Sequence, residues 1–334
     1  NISSDGNMIE MKNNVNITNN LNIGGGLKVT GTTNILSKLS VAGCVAFGMS
    51  IASGSQSRAL GYKTTASGES STAMGYDTTA SGDYSVAMGR STTASGPQST
   101  AMGIITRAIG SSSTAMGYYS KASSAASTAM GYYATASGGY STAMNSATAS
   151  GDYSVAMGRS TASGHYSTAM GFSSRASAIY STAMGYYTKA SGNNSTAIGY
   201  YTTASGNYST AIGYYSTSNA EYSVAIGSKN LACGMYSLAL GNNTIARSNG
   251  ETVLGLYNTD YDVTNYTDYN SNDRLFVIGN GQSNNSRSDA LVMLKNANTT
   301  LSGNLNINKV LNVTGQTNLL GGLSVTGNVN ISNI

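Results

Sequence analysis

The chain has 334 residues, with 17 Lys and Arg against 13 Asp and Glu, a formal net charge of +4, and only 9 % charged residues, where about 25 % is usual. Leu, Ile, Val and Phe together make 55 residues, Gly 41, Tyr 24, Pro 1 and Trp none, which is too little bulky apolar material for one large globular core. There is no run of 18 apolar residues, so no membrane-spanning helix is expected; the first residues, Asn1 to Asp5, carry no leader pattern; and no Lys/Arg cluster is dense enough to bind a nucleic-acid backbone.

Residues 1–43 keep a six-residue beat: Ile9, Val15, Leu21, Leu27, Thr33 and Leu39. The hexad reads apolar, x, apolar, x, Gly or Asn, x. It looks like the shaft of phage or large-virus tail fibres, in which three chains wrap as a triangular β-helix. Single-chain β-helix turns would give the same beat.

Residues 44–256 change to a longer period. An Ala-Met-Gly triplet or close variant begins at Ala46, Ala59, Ala73, Ala87, Ala101 and so on to Ala239, with a degenerate copy at Val253, at a spacing of 14 and occasionally 13. An Ala-Ser-Gly-like triplet follows each about seven residues on, as at Ala66, Ala80 and Ala204. Each half-period carries a Gly that costs a helix about 1 kcal/mol, which excludes a coiled coil. Two short strands per 14-residue coil, separated by Gly, Asn and Ser turns, predict a parallel β-solenoid. The three shortened coils, at Ala46, Ala143 and Ala156, all lose their residue between the two triplets, as a variable turn between fixed strands should.

Strand alternation assigns faces. Ala73 and Gly75 share the inward face with Ala80 and Gly82, giving a thin interior of small side chains; Thr72, Met74, Thr79 and Ser81 point out. The Met74 slot is then an apolar outer stripe: Leu60, Met74, Met88, Met102, Met116, Met130, Met157, Met170, Met184, Ile198, Ile212, Ile226 and Leu240, with Phe47, Met144 and Leu254 in the same slot. Such a stripe is either solenoid core or, facing outward, too extended to leave wet. Burial along an axis points to a homo-oligomer, most simply a homotrimer.

Segments such as Ser209-Thr210-Ala211-Ile212-Gly213 and Ser223-Val224-Ala225-Ile226-Gly227 strongly resemble the YadA-like head of trimeric autotransporter adhesins, over roughly residues 44 to 256. The resemblance implies a left-handed parallel β-roll, three chains about one axis, displayed outside a cell and used for attachment. No heptad stalk and no anchor-barrel segment accompanies it in this sequence.

Residues 257–300 abandon the period. The stretch from Tyr257 through Asn270 is rich in Tyr, Asn and Asp, and residues 274–279 and 290–295 read as strands, giving a neck or small inserted sheet. Residues 301–334 return to hexads at Leu305, Leu311, Thr317, Leu323 and Val329, and residues 317–325 echo 33–41.

Little in the chain carries catalytic chemistry. His165, the single histidine, sits in a turn slot otherwise held by Asp83, Asp152, Gly139 and Asn207. Cys44 and Cys233 replace Ser in repeat slots about 13 coils apart, roughly 60 Å, too far to bridge within a chain. Asp260, Asp262, Asp268 and Asp273 lack EF-hand spacing, so a solvated loop is preferred to calcium binding or glycan cleavage. No cofactor or metal is expected. Two Tyr columns stand out, one through Tyr84, Tyr153 and Tyr208 and one through Tyr62, Tyr118 and Tyr200. Stacked rings could seal the corners, and exposed ones suit glycan or protein contact. Candidate contact residues are thus Tyr84, Tyr153, Tyr208, Tyr257, Tyr261, Tyr266 and Tyr269. The outward Thr79/Ser81 array also fits an ice-binding face, but Arg107, Lys121, Arg175 and Lys189 interrupt it.

The expected protein is an all-β, homotrimeric, extracellular attachment fibre with no enzymatic role, more in keeping with a virion tail fibre than with a bacterial adhesin or secreted surface filament. Its partner would be a host-surface glycan or protein receptor.

Overall fold

A computed structural model describes residues 2–4, 9–11, 43–263, 265–318, 320–321, 324 and 326. The chain divides into two units, Asn1–Ala42 and Gly43–Ile334. In the first, Ile2–Ser4 and Ile9–Met11 pair antiparallel. Hexad positions Val15, Leu21, Leu27, Thr33 and Leu39, and Leu323 and Val329 at the other end, lie outside the described residues.

The second unit is a parallel β-solenoid of about 15 turns with no helix among the described residues. Each regular coil contributes a long strand, such as Thr114–Tyr118, and a short one, such as Lys121–Ala122. Coils stack without slippage: Thr114 pairs with Thr128, Ala115 with Ala129, Met116 with Met130 and Tyr118 with Tyr132. Identical slots therefore form columns, and a feature repeated in sequence becomes a row in space.

Two residues per regular coil take the left-handed conformation, as in Asp77 (φ 56) and Tyr84 (φ 59). This reverses their amides. Thr72 and Thr79 donate to the following coil, at Ser85 O (2.9 Å) and Thr92 O (2.8 Å), whereas Asp77 and Tyr84 donate to the preceding one, at Tyr62 O (2.8 Å) and Glu69 O (2.7 Å). Corners thus turn without leaving those amides unpaired. In the 13-residue coil at Val155 the first corner is the part removed. Val155–Ala162 runs as one strand, with a register shift between Arg159 and Thr161. Val45–Ala52 does the same.

The interior is as thin as expected but differently filled. Ala73 and Ala80 are fully buried and Gly82 is buried, but Gly75 lies exposed at the surface. Its φ of +124 breaks the alternation, and a Cβ there would meet Gly89 O at 2.0 Å. The inward places are taken instead by hydroxyls: Ser71 and Thr78 are both completely buried. Some members of these columns donate to nearby carbonyls, as Ser127 Oγ does to Ser124 O (2.6 Å) and Ser120 Oγ to Gly131 O (2.8 Å).

The long-strand ladder continues past Leu256. Arg274–Asn280 pairs parallel to Thr252–Leu256, Val277 opposite Val253 and Gly279 opposite Gly255, so Phe-Val-Ile-Gly is one more degenerate copy of the repeat. Asp289–Leu294 and Thr299–Leu301 then add antiparallel. Between Ser302 and Asn318 the single chain forms no strand, and Leu305, Val310 and Leu311 stand exposed.

Candidate functional site

Three features of the solenoid surface present side chains in an order that a partner could read: the apolar stripe, the tyrosine columns and the C-terminal cap.

The stripe occupies the centre of every long strand. Leu60, Met74, Met88, Met102, Met116 and Met130 pair consecutively across coils. Beyond Met144, the row continues through Met157, Met170, Met184, Ile198, Ile212, Ile226 and Leu240. In a single chain these residues are half-buried, and Met74 and Leu240 reach 38 % and 40 % exposure. The inward neighbours Ala73 and Ala239 are fully buried, so the stripe lies outside the coil interior, as alternation predicts.

The tyrosines stack in registered columns. Tyr153 lies between Tyr140 and Tyr166 with ring centroids 4.9 Å from each, and Tyr208 stacks on Tyr222 at 4.9 Å. Tyr84 stands apart; its hydroxyl donates to Glu69 Oε1 at 3.3 Å, and the Glu69 charge pushes its pKa up. A third column, Tyr119, Tyr133, Tyr187, Tyr201 and Tyr215, runs beside the one through Tyr118 and Tyr200. Tyr201 stacks on Tyr187 and Tyr215 at 4.9 Å and meets Tyr200 at 4.8 Å. Sequence reasoning missed it, although the Tyr-Tyr dipeptides at 118–119, 132–133, 186–187, 200–201 and 214–215 are its signature.

The four candidates after residue 256 lie in dissimilar surroundings. Tyr269 is 69 % exposed and lines an open depression with Asn265, Asp268, Asn270 and Ser271, with Lys295 Nζ 5.4 Å from its ring centre. Tyr266 is exposed, and its carbonyl accepts the Met235 amide at 2.9 Å. Tyr257 is partly buried with the Arg287 guanidinium 5.8 Å from its ring. Tyr261 is packed into the cap, where the Arg274 guanidinium sits 4.3 Å over its ring and the Arg274 amide donates to its hydroxyl at 3.3 Å. Burial pushes its pKa up to about 12.

The cap ends the short-strand ladder with side chains in place of backbone. Asn258 Oδ1 accepts the Ile245 amide at 2.8 Å and its Nδ2 donates to Ile245 O at 2.9 Å. Glu251, fully buried, takes the place of the inward Ser, and its Oε2 accepts the amides of Arg247 (2.7 Å) and Ser248 (2.9 Å). Burial raises its pKa to about 7 against the pull of those amides and of Arg274. Asp260 is ion-paired with Arg247, which holds its carboxyl below the usual range. Asp273 pairs with Lys295 at 3.8 Å, both side chains nearly buried, and Arg274 with Asp289 at 3.4 Å. These acids are committed to different partners, and among the described residues no group of three or more His, Cys, Asp and Glu could hold a metal ion. His165 lies exposed beside Asp152, at 3.4 Å, and both cysteines are free. Among the described residues no helix is long and apolar enough to cross a membrane.

The chain matches the YadA head domain repeat over residues 52–78, 80–104, 108–134, 122–144, 145–161, 162–188, 190–216, 204–230 and 218–244. No curated protein matches it. The matched segments are the solenoid coils themselves, so the registered columns of small inward residues and the outward apolar stripe are features of a family pattern. The match extends over more than half of the sequence, and the chain belongs to the YadA head domain repeat family.

Proposed function

We propose that the chain is an attachment head that works as a homotrimer, packed about an axis through its apolar stripe and displayed outside a cell or on a virion. The observation that carries this reading is the stripe: one Met, Ile or Leu per coil, in unbroken register and half-exposed in a single chain. Covering the remainder of each side chain contributes about 1 kcal/mol, on the order of 10 kcal/mol per chain over the row. That is enough to make folding depend on association. Family membership supports a surface-exposed attachment role over catalysis.

The hexads at both ends favour a tail-fibre setting over a bacterial adhesin. Leu305, Val310 and Leu311 lie uncovered in the single chain, as they would where a triangular shaft needs three chains to close. On this reading residues 1–43 and 301–334 are shafts, 44–256 the head and 257–300 the neck. Tyr84, Tyr153, Tyr208, Tyr266 and Tyr269 are offered for contact with a glycan or protein receptor, with Tyr257 and Tyr261 supporting them. Deleting the neck loop would damage the cap, so Tyr269→Ser and Tyr153→Ser are the variants to compare in cell binding. Attachment predicts weaker binding at unchanged mass; undiminished binding in both removes these residues from the contact surface.

A further inference from the structure

The coils carry a second, longer period. Val86, Val155 and Val224 are 69 residues apart, each preceded by an acidic-Tyr-Ser triplet at Asp83, Asp152 and Glu221. Five coils therefore form a unit about 24 Å long. Within two successive units the cations recur in the same order: Arg90, Arg107 and Lys121, then Arg159, Arg175 and Lys189. Residues 86–141 and 155–209 contain no Asp or Glu at all.

The fold converts this order into two equivalent basic patches. Arg107 pairs in register with Lys121 on adjacent short strands, and Arg175, near the end of the strand Thr168–Ala176, pairs with Lys189. Stacking like charges at one coil spacing is unfavourable, and nothing nearby offsets it: all six cations are exposed, and among the described residues none is ion-paired. Each patch has an aromatic wall. Arg107, Lys121 and Tyr119 line one shallow groove with Ile105 and Ser120; in the next unit Arg159 lies 4.7 Å over the Phe172 ring, with Tyr187 against that ring at 5.6 Å.

We infer that these two patches bind one extended acidic polysaccharide lying along the fibre axis. Three cations per five coils amount to one per roughly 8 Å, far sparser than the phosphate charge of a nucleic-acid duplex at one per ~1.7 Å. A polysaccharide with about one or two anionic groups per disaccharide, chondroitin sulfate among them, comes far closer to that density and supplies an anion for each cation. The faces of Phe172 are taken by Arg159 and Tyr186, but Tyr119 and Tyr187 stand exposed and offer ring edges and hydroxyls to a sugar, and the Thr and Ser of neighbouring coils offer partners for its hydroxyls. The inference deepens the attachment reading and rests on it for its biological use.

The test uses the full chain, chondroitin sulfate fragments of four and twelve sugars, a neutral dextran, and duplex DNA. Arg107→Thr with Lys121→Thr, and Arg175→Thr with Lys189→Thr, install the residue that this slot holds in other coils, so folding should be kept. The twelve-sugar fragment should bind at least tenfold tighter than the four-sugar one, because only it reaches both patches. Either pair of substitutions should abolish that advantage, and all four together should cost at least thirtyfold and flatten the salt dependence. Unchanged binding by the quadruple variant, or tighter binding of DNA than of glycan, overturns the inference. Wild-type protein that binds cells but no chondroitin sulfate overturns it while leaving attachment standing. A correctly assembled protein that binds neither overturns both.

Discussion

The sharpest constraint on the coil is the glycine that follows every stripe residue except Met144, where Asn145 takes the place in a shortened coil, and Gly199→Ala measures it. Gly199 has φ +130, and a Cβ there would lie 2.0 Å from Gly213 O and 3.0 Å from Gly213 N. Backbone in that region costs an L-residue about 1–3 kcal/mol. Relieving the overlap means separating two coils by more than 1 Å, which weakens the flanking inter-coil hydrogen bonds at about 1 kcal/mol each. Together roughly 3–5 kcal/mol should be lost. Gly192→Ala is the control. Its Cβ would meet Gly206 O at 1.9 Å, a similar overlap, but with no left-handed φ. The chain already holds Ala178 and Ala220 in that slot, and at Ala178 the amide has turned to Ser181 Oγ, 3.2 Å away. A small rotation absorbs the methyl there, at about 1–2 kcal/mol. Chemical denaturation of both variants, with hydrogen exchange to localise the loss, reads the difference. Equal stability of the two would refute the claim that φ, rather than contact alone, reserves the first slot for glycine.

Three further outcomes follow from single contacts. Tyr153→Ala should cost about 1–3 kcal/mol through two lost ring stacks, and Tyr153→Gly should recover about 1 kcal/mol of it because φ is 56 there; thermal unfolding separates them. Glu251, with its pKa raised to about 7, is protonated in the fold at pH values where the unfolded chain has already released the proton. The cap is therefore most stable below about pH 4.5 and loses on the order of 3 kcal/mol as pH rises to about 7; Glu251→Gln should flatten the curve in denaturation at pH 5, 6, 7 and 8. Lys295→Met leaves Asp273 buried without its partner and should cost about 3–5 kcal/mol, most of it restored by adding Asp273→Leu, which a double-mutant cycle in urea would read.

Most of the solenoid is legible in the sequence because its physics is one-dimensional. Each coil contacts only its neighbours, so the period, the strand pair, the variable corner and the outward stripe all follow from spacing. The part of the pattern that misleads is Gly75. Period-2 alternation assumes extended backbone, and a glycine with φ +124 departs from it, handing the inward place to Thr78. The continuation of the ladder through Arg274–Asn280 is hidden because the loop before it breaks the 14-residue beat while Val277, Ile278 and Gly279 keep the slot chemistry. At the cap, burial of Glu251, Asp273 and Lys295 depends on how that loop folds back, which no local spacing encodes. Tyr261 reads as an exposed loop aromatic in sequence and is a packed strut in the fold, for the same reason.

Sharing of the stripe by three chains would show first in the mass of the protein in solution. Light scattering on the wild type and on the Met130→Asp/Met170→Asp double variant places a charge at two half-buried positions of the row without touching the interior. The expected outcome is a mass of three chains that collapses, with loss of β circular dichroism, in the double variant. A monomer that keeps the same β spectrum in both proteins would contradict it.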